Sequence, residues 1–280
     1  MPNSEAQQAI DDVWEVITGR FSAALDIAHG IRQSLDVHDQ KMAAHSVDTA
    51  GAATRADDRS DENLELRTRP IQLMIDVARS FALKLDDVRD AKSDDGRVRL
   101  NIGIDKAAIA VAADENRLLL HGTHTNAMKG LKDLAITESP PHDRHLTVNR
   151  LATAVERIDH ELYGASLDNA NKSVAESIDL VVPTATREQL KNSSEVTKKF
   201  EALLHGGAIR EGHGVDGAVV IAANHPAVRL VVGRPYTLQQ ANVTKTHVTI
   251  WSTATIALVA MSETPPVVLL EPPCELSPYG

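Results

Sequence analysis

The 280-residue sequence contains one cysteine, Cys274, and only 3% aromatic residues. A single cysteine excludes an intrachain disulfide framework and a thiolate zinc site, and it fits a reducing compartment. So few aromatic side chains provide little material for stacking bases or flat cofactors. The longest apolar runs, such as residues 218–223, are far shorter than the roughly 20 residues of a membrane helix. We therefore expect no membrane span.

Positive charge is also scarce. The chain has 39 acidic and 29 basic residues, which gives a formal net charge of -10. No overall positive field therefore draws it to nucleic acid or anionic lipid. The amino terminus shows no basic segment followed by an apolar core, so we expect no secretory signal and a cytoplasmic protein. The length suits one large domain or two small ones.

Signatures of catalysis are missing. The twelve histidines form no HExxH or comparable metal-binding pattern. The glycines of 206–207 and 212–217 lack the Lys-Ser/Thr ending of a phosphate loop, and no G-x-S-x-G elbow occurs. We therefore predict no catalytic residue, no cofactor and no bound metal. A hydrolase or metal enzyme that uses loop residues His142, Asp143 and His145 is kept as a third alternative.

The first 35 residues carry apolar side chains at three- and four-residue spacing, which predicts one amphipathic helix over residues 4–35. Such a stripe is either intramolecular core or a docking face for a partner. From residue 36 to 69 the pattern gives way to small and charged residues. This stretch is either a flexible linker or an extended arm that becomes ordered against neighbouring subunits.

The remaining patterns predict a mixed α+β fold, because their order does not form a simple βαβ series. Period-two alternation predicts a strand from residue 71 that extends to 85, and an alanine-rich pattern predicts a long helix ending at Gly122. The further predictions are helices over 151–162 and 186–204, and strands over 180–182, 218–223, 227–232, 247–261 and 267–270.

From residue 66 to 271 the order of these pieces resembles the encapsulins, the linocin-like proteins that share the major capsid fold of tailed phages. The stretch 66–88 looks like the family's strand leading into a Leu-Asp-Asp turn. Residues 114–122, followed by 128–131, are similar to the end of its spine helix. The other similar stretches are 178–183, 206–210, 217–222, 228–238 and 248–270. The family's Gly-Arg and Gly-Pro-x-Gly-Trp motifs are absent, and residues 34–63 stand in their place.

The resemblance implies an α+β fold of the tailed-phage (Hong Kong 97-like) major capsid type, with an N-terminal helix, an E-loop, a P-domain spine helix and an A-domain. The corresponding segments are the N-terminal helix 1–35, the N-arm and E-loop 36–75, the first part of the P-domain 76–135, the A-domain 136–245, the return strands 246–271 and the C-terminal tail 272–280.

The resemblance also implies a function. It indicates a non-enzymatic shell protein that self-assembles into a large icosahedral homo-oligomer, the encapsulin nanocompartment, and encloses a cargo enzyme held by a short targeting peptide. The cargo groove would lie between the first helix and the P-domain, with Trp14, Ile17 and Phe21 as candidate contacts. A five-fold pore loop would comprise Lys191, Asn192, Ser193, Ser194 and Glu195, whose alternative is an ordinary exposed loop. The alternative function is a phage or prophage major capsid protein that encloses DNA.

Overall fold

The computed structural model describes residues 4–39, 46–48, 71–125, 127–137, 145–163, 177–262, 265–272 and 275–276. Several sequence predictions fall outside these residues: the connection around His142 and Asp143, most of the charged stretch 36–69, and Cys274.

Seven α-helices and eleven strands lie within the described residues. The helices are α1 (Ser4–Ala28), α2 (Leu85–Arg89), α3 (Asp94–His121), α4 (Leu131–Leu134), α5 (Val148–Tyr163), α6 (Thr184–Lys191) and α7 (Ser194–Leu203). The strands are β1 (Asp36–Asp39), β2 (Ser46–Asp48), β3 (Ile71–Leu73), β4 (Ile75–Lys84), β5 (Ile136–Thr137), β6 (Ile178–Val182), β7 (Ile209–Glu211), β8 (Ala218–Ala222), β9 (Val228–Val243), β10 (His247–Ala260) and β11 (Val267–Leu270).

Two main sheets organise these elements. The first has the order β1-β9-β10-β4, in which β1 runs parallel to β9 and the other pairs are antiparallel. The second has the order β5-β11-β8-β6-β7, with parallel pairs at both ends and antiparallel pairs in the middle. A short antiparallel pair, β2 with β3, stands apart from both. The predicted α+β class is confirmed.

The helix α1 buries one stripe, as its sequence predicts. Ile10, Ile17, Phe21 and Leu25 are at most 3% exposed and pack toward α3 and the first sheet. The helix ends at Ala28 and not at residue 35, so the predicted end is wrong. A Cβ atom at Gly30 would lie 2.2 Å from the backbone oxygen of Glu211, so the chain passes too close to β7 for any larger side chain.

The long helix α3 ends at the glycine that the sequence predicts, and it begins at Asp94, within the polar stretch before the alanine-rich pattern. The Ser93 hydroxyl accepts a hydrogen bond from the Gly96 amide at 3.1 Å, which caps the amino terminus, and Asp94 and Asp95 follow in the first turn. Gly122 ends the helix with φ of +70°, a conformation that glycine adopts readily. The buried alanines of α3, such as Ala108 and Ala112, are small enough for neighbouring elements to pack closely against this helix.

Other predicted boundaries need correction. The single helix predicted over 186–204 is two helices, because the chain leaves helical conformation between Lys191 and Ser194. The strand predicted to end at residue 232 continues to Val243 as β9. Gly233 and Pro235 interrupt the apolar alternation there, so the pattern fades before the strand does. The strands β1, β5 and β7 were not predicted, since each has four residues or fewer.

The hydrophobic core has three main parts. One lies between α1, α3 and the inner face of the first sheet, and a second joins α5, α6 and α7 to one face of the second sheet. The third part connects the two sheets and contains Ile31 and Leu35 just after α1, together with Leu119 and Leu120 at the end of α3. The segment after α1 is therefore buried between both halves of the molecule.

Buried polar groups hold this segment in place. Asp179 on β6 is 1% exposed. It accepts hydrogen bonds from the Ser34 hydroxyl at 2.8 Å, the Ala208 amide at 2.7 Å and the Arg210 Nε at 2.6 Å. Arg210 also donates to the Gln33 side chain at 2.9 Å. A single carboxylate thus ties the turn after α1 to the second sheet.

We predict that Asp179→Ala destabilises the subunit, because it leaves Arg210 and the Ala208 amide without their acceptor in a largely buried site. Breaking such a pair costs about 3 kcal/mol. The midpoint of chemical denaturation, followed by circular dichroism, should fall clearly. Asp216→Ala is the matched control, since Asp216 is exposed and its ion pairs with His121 and Lys132 span 3.7 and 3.8 Å. Equal midpoints for the two variants would contradict the assignment.

Candidate functional site

The candidate site is a groove between α1 and α3, with a volume of about 260 Å³. The small alanine side chains on α1 keep the groove shallow, and two isoleucines, Ile27 and Ile109, give it apolar walls. Ile27 is 79% exposed and Ile109 is 39% exposed. The residues that line the groove are Arg20, Ala23, Ala24, Ile27, Ala28, Asp105, Ile109 and His213.

A charged pair bridges the two helices within this groove. Arg20 donates from Nε to Oδ1 of Asp105 at 2.7 Å and from Nη2 to Oδ2 at 2.5 Å. This two-pronged geometry fixes both side chains in one plane. The pair satisfies the carboxylate, so the groove offers mainly apolar surface to a ligand.

His213 contributes from the loop after β7. Its Nδ1 lies 3.1 Å from the Thr184 hydroxyl and 3.5 Å from Oε1 of Glu211. Its backbone oxygen accepts a hydrogen bond from the Asn116 side chain at 2.9 Å. The groove therefore meets three parts of the chain: α1, α3 and the second sheet.

The three predicted cargo contacts lie elsewhere on α1. Ile17 is 0% exposed and Phe21 is 2% exposed, and the Phe21 ring stacks on Phe81 with centroids 5.5 Å apart. Trp14 is partly buried against the same core. Of these three, Trp14 alone presents side-chain surface, and none lines the groove. Their role in binding stays a prediction.

Sequence reasoning missed Ile27 and Ile109 as candidate contacts. Both are apolar, but each falls outside the buried stripe of its helix. An isoleucine on the otherwise polar side of an amphipathic helix is the signal that could have drawn attention to Ile27.

The predicted pore loop is the turn between α6 and α7. Lys191 is the last residue of α6, Asn192 and Ser193 connect the helices, and Ser194 and Glu195 begin α7. All but the partly buried Ser193 are exposed. This placement makes the turn available at a surface, and its position at a five-fold axis stays a prediction.

Charges at this turn are paired within the chain. Lys191 Nζ lies 2.5 Å from Glu188 Oε1, and Lys199 Nζ lies 2.8 Å from Glu195 Oε1. The hydrogen bond from Lys199, together with its charge, lowers the pKa of Glu195 below its ordinary value. The unpaired groups at the tip are therefore an amide and two hydroxyls.

Two of the three residues of the histidine alternative lie outside the described part of the chain, so it stays an alternative. Across the parts of the chain that the structure describes, no three histidine, cysteine or acidic side chains come together as metal ligands would. His145 is described, whereas His142 and Asp143 are not. The same residues contain no helix of sufficient length and apolarity to cross a bilayer.

The sequence and the fold were each compared with those of known proteins. Residues 4–255 match the family model described as encapsulating protein for peroxidase. A virus-like particle from Pyrococcus furiosus shares the fold, with a TM-score of 0.55 and 14% identity over 92% of this chain and 98% of that one. The major capsid protein of phage G, solved with its decoration protein, gives a TM-score of 0.51 and 7% identity over 88% of this chain and 90% of that one. A comparison with curated protein sequences found no match. With the family model covering most of the sequence and the capsid fold shared across nearly its full length, the chain belongs to the linocin-like encapsulins, a family of self-assembling shell proteins.

Proposed function

We propose that the chain forms a closed icosahedral compartment in the cytoplasm that encloses a cargo enzyme. The match of residues 4–255 to the encapsulating-protein family is the observation that carries this proposal. The family's description names a peroxidase, which supports an enzyme as the enclosed protein. Family members are structural, and no catalytic role is proposed for this chain.

Particle size tests the assembly directly. We expect the purified protein to give uniform hollow spheres tens of nanometres across by light scattering and negative-stain electron microscopy. A stable monomer or small oligomer would contradict a closed compartment.

We place cargo binding along α1, at the groove with α3. A short peptide that docks there would bury apolar side chains against Ile27 and Ile109, which water now contacts. Trp14 adds a partly exposed aromatic contact on the same helix. Ile17 and Phe21 support that helix from beneath, because they pack into the core.

Replacing Ile27 with serine tests the groove. Ile27→Ser removes a largely exposed apolar contact and should leave the fold intact, while the amount of cargo per particle falls about fivefold, the effect of losing roughly 1 kcal/mol at an interface. Quantitative mass spectrometry of purified, protease-treated particles measures the loading. Val98→Ser is the matched control, since Val98 is 56% exposed on α3 and does not line the groove. Equal loading in both variants would exclude this groove.

A comparison of Trp14→Ala with Ile17→Ala distinguishes a residue that contacts cargo from one that packs in the subunit core. We expect reduced cargo loading with intact particles, because Trp14 is only partly buried. Ile17→Ala should instead lower the denaturation midpoint, since emptying a fully buried site costs about 2–5 kcal/mol. Wild-type loading in the Trp14→Ala particles would remove this residue from the binding site.

The turn between α6 and α7 is our candidate for the five-fold pore. Its neutral tip would give a polar opening suited to ions and small solutes without strong selection by charge. Lys191 pairs with Glu188, and Glu195 pairs with Lys199, so both charges beside the tip are neutralised within their own subunit. This pairing supports a pore without strong charge selection.

Cysteine crosslinking tests the position of the turn. In a Cys274→Ser background, each Ser194→Cys subunit carries one thiol, so five thiols around one axis can form at most two disulfides. Complete oxidation should therefore give dimers on a denaturing gel and leave at least one subunit in five monomeric. Glu201→Cys, also exposed on α7 but near its other end, should remain largely monomeric. A Ser194→Cys sample that stays fully monomeric, or that converts completely to dimers, would place the turn away from a five-fold axis.

The structural match to a phage capsid protein supports one further candidate, a prophage capsid that encloses DNA. The net charge of -10 weighs against it, because enclosed phosphates favour a basic lining. Nuclease-resistant nucleic acid inside purified particles would favour the capsid function, and its absence would favour the enzyme compartment.

A further inference from the structure

A buried polar cluster lies where α1 ends, away from the α6–α7 turn and deeper than the groove. His29 follows the last residue of α1 and is 2% exposed, and Glu115 on α3 is 0% exposed. The Nε2 of His29 lies 3.6 Å from Oε2 of Glu115, which is beyond hydrogen-bond reach. The ring of Tyr236 on β9 packs beside the His29 ring, with centroids 5.7 Å apart.

One polar atom in this cluster has no protein partner. The His29 Nε2 is buried and makes no hydrogen bond to any of the described residues, whereas the buried Tyr236 hydroxyl lies beside Glu115. Glu115 is already engaged, since Arg32 Nη1 lies 3.3 Å from its Oε1 and 3.1 Å from its Oε2. Buried polar groups without partners are costly, so the cluster is the weakly satisfied part of this junction.

The balance of charges makes the site sensitive to a proton on His29. Burial lowers the pKa of His29 below 6.5; the charge of Glu115 opposes that effect, and the charge of Arg32 adds to it. Asp26 on α1 also favours the protonated ring, although less than Glu115 does. The pKa of Tyr236 is raised by burial and by the neighbouring Glu115, so its hydroxyl stays protonated and brings no charge.

The other charged groups near His29 do not reverse the lowering of its pKa. Asp114 and Glu115 come from α3 and Arg32 from the turn after α1. Glu211, on β7, meets the segment through its backbone oxygen at Gly30. Because burial outweighs the acidic neighbours, a protonated His29 is less stable in this site than in water.

We propose that His29, packed between Glu115 and Tyr236, is an acid-sensitive latch that holds the end of α1 on the body of the subunit at neutral pH and releases it when the imidazole takes up a proton. Released residues 25–32 hydrate the charged ring, which the packed site cannot do. The proposal concerns how this segment is held and does not depend on what the groove binds.

The sign of the pH dependence follows from linkage. A histidine whose pKa is lower in the packed state binds its proton more readily in the released state. Stability of the packed state is therefore complete above the ordinary histidine pKa of about 6.5 and declines as the pH falls from there toward the lowered value. Across that window the released population rises by up to about tenfold per pH unit.

Hydrogen–deuterium exchange of the assembled full-length protein tests the latch. Amide exchange between pH 7.5 and 5.0, corrected for the intrinsic effect of pH, should accelerate in residues 25–32 by up to about tenfold per unit below 6.5. Peptides from α5 should not show this acceleration of amide exchange. His29→Gln, which is neutral throughout, should abolish the acceleration, whereas the exposed control His247→Gln should retain it. An unchanged wild-type rate, or an acceleration that persists in His29→Gln, would overturn the proposal.

A second measurement needs no variant and covers the case in which His29→Gln does not fold. Exchange of the imidazole C2 proton, read by mass spectrometry on the wild-type protein, gives the protonation midpoint of His29. We expect a midpoint below the ordinary histidine value of about 6.5. A midpoint at or above that value would overturn the latch, because protonation would then favour the packed state.

Discussion

The subunit depends on the buried carboxylate of Asp179, which joins the turn after α1 to the second sheet. Its donors come from two other parts of the chain, Ser34 after α1 and the neighbouring residues Ala208 and Arg210 at β7, while Asp179 itself lies on β6. A buried charge is stable only when its hydrogen bonds are complete, so this one position requires all three segments to meet. Ile31 and Leu35 can enter the core between the sheets because the turn that carries them is fixed there.

The same constraint explains the shape of the groove. Because the chain bends at Gly30, α1 stops beside the middle of α3 and does not continue across it. The small residues Ala24 and Ala28 face α3 near that end, and the pair of Arg20 with Asp105 bridges the two helices one turn earlier. A shallow apolar channel between two helices therefore results from the position of the bend.

Local pattern accounts for much of this fold. The boundaries of α3 follow from Ser93 and Gly122, and β10 follows from an alternation that holds from His247 to Ile256 before a continuous buried run. The end of α1 could not be found this way, because Ile31 and Leu35 continue the apolar spacing after the helix has stopped. Gly30, which passes close to the backbone of Glu211 about 180 positions away along the chain, is the only local sign of the end, and the continued apolar spacing outweighs it.

The candidate site was harder to predict for the same reason. Periodicity correctly marks Ile17 and Phe21 as buried, but burial inside the subunit is what removes them from a binding surface. The accessible isoleucines Ile27 and Ile109 lie on different helices, and only the packing of α1 on α3 brings them together. The resemblance to encapsulins named the first helix and the P-domain as the two sides of a cargo groove, and the structure shows which residues line the groove between α1 and α3. That this groove binds cargo stays a prediction.

The junction after α1 thus combines two buried polar sites of opposite character. Asp179 has its acceptor oxygens satisfied by three donors, whereas the buried Nε2 of His29, whose ring lies beside that of Tyr236 with centroids 5.7 Å apart, has no partner among the described residues. A buried polar group with all its hydrogen bonds made holds its surroundings rigidly. A buried polar group that lacks a hydrogen bond is where a small change in free energy is enough to alter the local structure. Since Ser34 is held by Asp179 on one side and His29 lies only five residues before it, loosening at His29 frees the end of α1 while the sheets stay joined. The fold can therefore confine an acid response to one helix end and keep the body of the shell subunit intact.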